Sequence, residues 1–151
     1  MLFRSHVHAN NAFAANVQED NFLVQGSDWS DASAGLERGT LMSIRGWISA
    51  SMDASPSAVD TLFLAIGVFH EDAAFPAINQ ESAYIEDVLW TGGFQATNPA
   101  TAAGDIRRNW VWEVNVKARR RITDQQVVMF SLIGTEAGDF SCVLRSLIRR
   151  D

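Results

Sequence analysis

The chain has one cysteine, Cys142, among 151 residues. An intrachain disulfide is therefore excluded, and no Cys/His spacing for zinc exists. Cys142 lies within an alternating apolar segment, which marks it as a small buried hydrophobe rather than a reactive thiol. Long hydrophobic runs are missing too. The longest fully apolar stretch, residues 62–69, is far below the roughly 20 residues a membrane helix needs. The first 20 residues, MLFRSHVHANNAFAANVQED, lack the charged-then-apolar order of a signal peptide. A soluble, non-secreted protein is expected, or one exported by a route not visible in the sequence.

The motifs of common enzymes are also absent. There is no GxSxG elbow, no GxGxxG and no GxxxxGK[ST] phosphate loop. Carboxylates occur as neighbours at Glu19-Asp20, Glu71-Asp72 and Glu86-Asp87, and neighbours in a strand point to opposite faces. Such pairs are poorly placed for joint acid and base work unless a loop folds them together. His6 and His8 point the same way on an extended chain and could share a metal, but no third ligand at a sensible spacing accompanies them. They read as solvated histidines of an arm. His70 follows an apolar segment and marks its exit to solvent. The expectation is a protein that is not an enzyme and holds no cofactor or metal.

Charge is present but uneven. Residues 1–106 carry 3 basic and 13 acidic side chains, while residues 107–151 carry nine basic and five acidic. The balances of −10 and +4 make up the net −6. Lys117 is the only lysine among 12 basic residues. Arginine suits planar, bidentate or stacked contacts at interfaces or on phosphates. An acidic part and a basic part in one small chain also suit head-to-tail contact between identical subunits.

The apolar pattern is that of strands. The composition, 47% hydrophobic and 20% charged, is ordinary for a globular domain, but five Trp and nine Phe are many for this length. A chain of this size can bury roughly 70% of its extended surface without staples. Residues 1–38 are weakly patterned and read as an extended arm or loop with at most one short strand around Phe22, Leu23 and Val24. Residues 27–35 are turn-rich. The sandwich domain is expected over 39–151.

Within it, residues 40–52 alternate. Met42, Ile44, Gly46, Ile48, Ala50 and Met52 share one face, with Ser43, Arg45, Trp47, Ser49 and Ser51 on the other. Gly46 in mid-strand suggests a bulge or a close backbone approach. Residues 53–60 form a loop, since Pro56 excludes a central strand there. Residues 61–71 are apolar on both faces and read as a strand covered on both sides, with a buried helix as the rival. Residues 72–82 connect onward. Residues 83–97 fit either a short helix turn or a strand, and Gly92-Gly93 would break either. Residues 98–105 form a loop of small residues.

In the last third, Trp110, Trp112, Val114, Val116 and Ala118 face the core, while Val111, Glu113, Asn115, Lys117 and Arg119 face solvent. Residues 126–133 and 140–149 add two strands. In the last one Phe140, Cys142, Leu144 and Ile148 point in and Ser141, Arg145 and Arg149 point out. These three strands are expected to form an antiparallel meander, within an all-β sandwich or barrel of six to eight strands with little helix.

The densest charge cluster is Lys117, Arg119, Arg120 and Arg121. Arg107 and Arg108 precede the same strand, and Arg145, Arg149 and Arg150 belong to the last. These side chains could gather on one face, where they would contact phosphates, pair with a neighbouring subunit's carboxylates, or remain solvated at strand ends. Trp47 on a polar face, with Arg45, Arg145 and Arg149 as companions, is an interface or stacking candidate.

Two phrases, ERGTLMSIRGWISA (37–50) and WEVNVKARRRITDQQVVMFSLIG (112–134), resemble the C-terminal region of coat proteins of small circular single-stranded DNA viruses and related environmental viruses. The resemblance spans residues 37–149. It implies a jelly-roll sandwich whose copies pack edge to edge into a closed shell, a virion location, no active site, and partners that are identical subunits with packaged nucleic acid. Residues 98–105 would be a surface or contact loop. One departure matters: such proteins begin with a strongly basic arm, whereas residues 1–30 here carry only Arg4, with Glu19 and Asp20 among the opposing charges. Two other readings stand beside this one. A carbohydrate- or ligand-binding β-sandwich would stack a sugar ring on Trp47, Trp90 or Trp29. A small β-barrel enzyme would need converging carboxylates, or His70 and Glu71 in a cleft.

Overall fold

The structure is a computed structural model, and it describes residues 2–25, 38–54, 59–70, 85–97 and 107–150. The turn-rich segment 27–35, the connection 72–82 and the loop 98–105 lie outside the described residues, as do Trp29 and Glu71. Eight strands account for almost all of the described chain. They are β1 (Leu2–Phe13), β2 (Glu19–Val24), β3 (Arg38–Asp53), β4 (Val59–His70), β5 (Ile85–Thr97), β6 (Arg107–Thr123), β7 (Gln126–Gly134) and β8 (Gly138–Arg150). Among the described residues there is no helix.

The strands form two four-stranded antiparallel sheets, in the orders β1-β8-β3-β6 and β2-β7-β4-β5. Successive strands mostly change sheet, and this double wiring is that of a jelly roll. The expected all-β sandwich is therefore present, but the meander is not. β7 belongs to the other sheet, and β6 and β8 are separated by β3 rather than by β7. The period-two pattern of each strand is compatible with either wiring, and burial decides between them. β6 and β8 keep one polar face, so they suit a sheet whose outer side meets water. β7 is buried on both faces along most of its length.

Residues 2–24 are likewise not an arm apart from the sandwich. β1 pairs with β8 and β2 with β7, so each lies at the edge of a sheet. Their weak apolar pattern reflects that edge position, where only some inward side chains reach the core. Phe13, Leu23 and Val24 do so. Ser131 of β7 donates a hydrogen bond to the Asp20 carboxylate (2.6 Å), which ties β2 to its neighbour.

The core lies between the sheets. Ile44, Ile48 and Met52 of β3, Val114 of β6, and Cys142 and Leu144 of β8 meet Leu64, Ile66 and Val68 of β4 and Phe130 and Leu132 of β7. Each such side chain contributes on the order of 1.5–3 kcal/mol by leaving water. Phe130 and Phe140 meet edge to face across the interior, with ring centroids 5.9 Å apart. A smaller buried group, Phe69, Val127 and Met129, lies on the other side of the β2-β7-β4-β5 sheet. β4 is thus buried on both faces near its end, as its apolar sequence implies.

Two glycines carry conformations that other residues resist. Gly46 has φ +149°, and a Cβ there would collide with the Val143 carbonyl of β8, which is the close approach expected of it. Gly93 has φ +146° and lies against the Leu62 carbonyl of β4. Gly92-Gly93 does not break β5, which pairs with β4 straight through them, Gly93 opposite Phe63 and Gly92 opposite Leu64. Gly92 also leaves room for the indoles of Trp90 and Trp112. Phe94 and Trp110 stack face to face nearby, centroids 3.5 Å apart, closing the sandwich where β5 and β6 run side by side.

Candidate binding face on the outer side of one sheet

The outward residues of β1, β8, β3 and β6 form one continuous surface. Its rows follow from the strand register. At one level Thr40 of β3 is flanked by Arg121 of β6 and Arg149 of β8. Further along, Ser43 is flanked by Lys117 and Leu147, then Arg45 by Asn115 and Arg145, then Trp47 by Glu113 and Val143. Val7 of β1 lies beside Val143. Seven of the eight side chains singled out in the sequence (Lys117, Arg119, Arg121, Arg45, Arg145, Arg149 and Trp47) are on this face. They come together because β3 lies between β6 and β8, an adjacency no local pattern reveals.

Arg120 is the exception. It stands opposite Leu41 on the inward side of β6, and its guanidinium makes an ion pair with Asp87 of β5 (3.4 Å). The run of three arginines therefore divides between two faces, because successive residues of a strand alternate. A bulge shapes the outward part. Between Ser43 and Leu41, a single residue of β3 is matched by two of β6, Ala118 and Arg119. Arg119 takes a left-handed conformation there, φ +44°, uncommon for a residue with a side chain. Bulges re-aim side chains. Here Arg119 joins Arg121, Arg149, Thr40 and Met42 around a recess of about 500 Å³.

A second trough, about 670 Å³, lies further along the same face, with Arg45, Trp47, Glu113 and Lys117 in its lining. Trp47 is 44% exposed. Phe3 of β1 lies under the Arg145 guanidinium, 3.9 Å from carbon to ring centroid, a cation–π contact that fixes this arginine over the sheet.

The face is also unusually apolar for an outer surface. Phe3, Val7, Trp47, Val111 and Val143 are all exposed there, Val111 by 73%. On the other sheet Phe22 of β2 and Val88 of β5 are exposed. Every one of the four edge strands, β1, β2, β5 and β6, thus presents a large apolar side chain to solvent.

His6 and His8 lie on the inner side of β1, opposite Leu144 and Cys142 of β8, with ring centroids 4.4 Å apart. They share one side of the strand as expected but are half-buried rather than solvated. Asn11 is hydrogen-bonded to His8 Nδ1. Burial, then the neighbouring His8, lowers the His6 pKa from 6.5 to about 4. Cys142 is fully buried, and burial pushes its thiol pKa up, with a hydrogen bond to the His8 backbone acting against the shift. Its placement is that of a core side chain.

No helix among the described residues is long and apolar enough to cross a membrane. Among the described residues the fold is an eight-stranded jelly-roll sandwich with a basic, aromatic outer face on the β1-β8-β3-β6 sheet. No family model matches the chain, and no curated protein matches it. Among solved structures, it is similar to a chain in the structure of infectious bursal disease virus Gx strain, at a TM-score of 0.45 and 8% sequence identity. The match covers 96% of this chain and 31% of that one, so the present chain spans about a third of that neighbour's length.

Proposed function

We propose that this protein is a virion structural subunit, similar to the coat proteins of small circular single-stranded DNA viruses, that self-assembles into a shell and performs no catalysis. The observation that carries the reading is the exposed apolar side chain on each of the four edge strands of a jelly roll. Sheet edges can pair with another chain, and β6 is blunted by its bulge and its basic side chains. The large apolar side chains exposed on the edge strands still favour contact with neighbours. Weak contacts repeated among identical copies gain strength through closure. The sequence resemblance over residues 37–149 and the jelly-roll wiring support the same reading.

The test is light scattering of the purified protein with negative-stain imaging of the same sample. Closed particles or ordered polymers are expected. A 16.6 kDa monomer over a wide range of salt and concentration would overturn the proposal.

A second reading has one specific observation behind it. Trp47 stands in a trough with Glu113 and Asn115, the combination of an aromatic platform and polar groups that suits a sugar ring. A saturable change of tryptophan fluorescence on adding a monosaccharide panel, abolished by Trp47→Ala, would favour that carbohydrate-binding role.

A further inference from the structure

β1 is an edge strand, and its only ladder is with β8. That ladder is interrupted between His8 and Asn11. Asn10 turns left-handed there, φ +52°, and its N–H donates to Ser141 Oγ (2.9 Å). Of the described side chains of β1, only Phe13 belongs to the buried core. Near the other end Phe3 lies against Arg145. Between these two anchors the inner side of β1 carries Arg4, His6 and His8 in a row, opposite Ser146, Leu144 and Cys142 of β8. His6 Nε2 is enclosed and has no hydrogen-bond partner among the described residues. The Cys142 thiol is hydrogen-bonded to the His8 backbone, so β1 is part of what covers it.

We propose that β1 is an acid-released edge: protonation of the His6 and His8 pair opens the strand from β8 there. Opening uncovers Cys142 and the hydrogen-bonding edge of β8 while the rest of the sandwich stays folded. A proton on His6 Nε2 creates a donor with no acceptor in an enclosed site, which is unfavourable. Two charged imidazoles whose centroids are 4.4 Å apart also repel, and half-burial weakens the screening by water. Across the ladder, Leu144 and Cys142 supply no anion. The other charged groups around the pair are Arg4 on the same side of β1, and Glu19 and Asp20 on β2, which adjoins β1. Asp20 already accepts hydrogen bonds from Ser131 and Gln18. Opening returns both rings to water, where they bind protons with ordinary affinity. Burial, then His8, holds the His6 pKa at about 4 against 6.5, so the open form gains the extra proton as pH falls from 6.5 toward 4. An edge with so little buried apolar surface can open below the cost of global unfolding. The inference holds whether or not copies form a shell.

The test uses Cys142, the only thiol, as a reporter in the full chain. Its labelling by dithiodipyridine, a disulfide reagent that reacts with thiols in acid, is followed from pH 8 to 5. Each rate is divided by that of the urea-unfolded chain at the same pH. The ratio should rise about 5- to 30-fold; the upper figure takes the whole His6 shift, and the lower allows for its partial exposure. At pH 5 the ratio should change little with urea below the unfolding transition, because opening one edge exposes little surface. The double variant His6→Gln, His8→Gln should lose the rise, and Asp20→Asn should keep it. If the double variant does not fold, amide exchange of the wild type decides. At pH 5, after correction for intrinsic rates, residues 4–9 should lose protection while β3 and β7 keep theirs. The proposal is overturned by a flat pH profile, by labelling with the steep urea dependence of global unfolding, or by a rise that survives in the double variant. A rise lost in Asp20→Asn, or amides of β1 as protected as those of β3, would overturn it too.

Discussion

Arg45 of β3 and Arg145 of β8 stand directly opposite each other on the outer face of one sheet. Like charges at opposed cross-strand positions are destabilising, so this pair is held against its own repulsion. The Phe3 ring under Arg145 offsets part of this cost. Such an arrangement is expected where a surface serves a partner more than the isolated fold.

Replacing Arg45 should therefore stabilise the subunit. Arg45→Thr is expected to gain about 0.2–1 kcal/mol at low salt. The gain should shrink in 1 M salt, where screening acts over about 3 Å. Urea midpoints at the two ionic strengths measure it. A midpoint that falls at low salt would mean that Arg45 is held by a favourable contact stronger than the repulsion.

Gly46→Ala should be among the most damaging single changes on the sheet. The position needs φ +149°, and the added carbon meets the Val143 carbonyl in the neighbouring strand. Backbone strain of this type costs about 1–3 kcal/mol before the clash is counted. Thermal unfolding should shift down by roughly 5–10 °C, at ~2–4 °C per kcal/mol for a chain of this size. An unchanged Tm would show that β3 and β8 can part at this point without loss.

Trp112 packs on the core beside Gly92 and Trp90 but remains only half-buried. Trp112→Ala should cost about 3 kcal/mol, the lower end of the range for a buried aromatic. Phe130→Ala, at a fully buried site, should cost more, up to about 5 kcal/mol. Denaturant unfolding of the two variants gives the order. If Trp112→Ala proves the more costly, the Trp90–Trp112 seam, and not the centre of the sandwich, dominates stability.

Stability should fall on acidification between pH 6.5 and about 4. His6 holds its proton only below about pH 4 in the folded protein, against 6.5 ordinarily, because burial and the adjacent His8 disfavour the charge. The unfolded chain thus binds more protons in that window. The contribution of neutral His6 is complete above pH 6.5 and is lost as pH falls through 4. The loss assignable to His6 is on the order of 1 kcal/mol after allowance for its partial exposure. Urea midpoints from pH 8 to 4 should show the fall, and His6→Gln should flatten it. An equal fall in the variant would assign the effect to carboxylates instead.

Individual strands were legible because their side chains alternate. The faces of residues 110–118 and 140–149, the exposure of Trp47 and the close approach at Gly46 all follow from period two and from the absent side chain of glycine. Three features were not legible. The first 24 residues are poor in apolar side chains because edge strands bury less, and composition alone makes them resemble an arm. Gly92 and Gly93 signal a break in sequence, yet Gly93 must be small for the Leu62 carbonyl of β4 to approach and Gly92 for the indoles of Trp90 and Trp112. The splitting of the arginine run at Arg120 follows from alternation, but the left-handed turn at Arg119 depends on the bulge opposite Met42.

By itself the sequence determined that this is an all-β chain with a basic last third, because hydrophobic alternation and charge are local properties of neighbouring residues. Only the tertiary structure decided which strands are neighbours. The pairing of β3 with both β6 and β8 joins segments far apart in the chain, chosen by which faces the core can cover, and it alone brings Arg45, Lys117, Arg121 and Arg149 onto one surface.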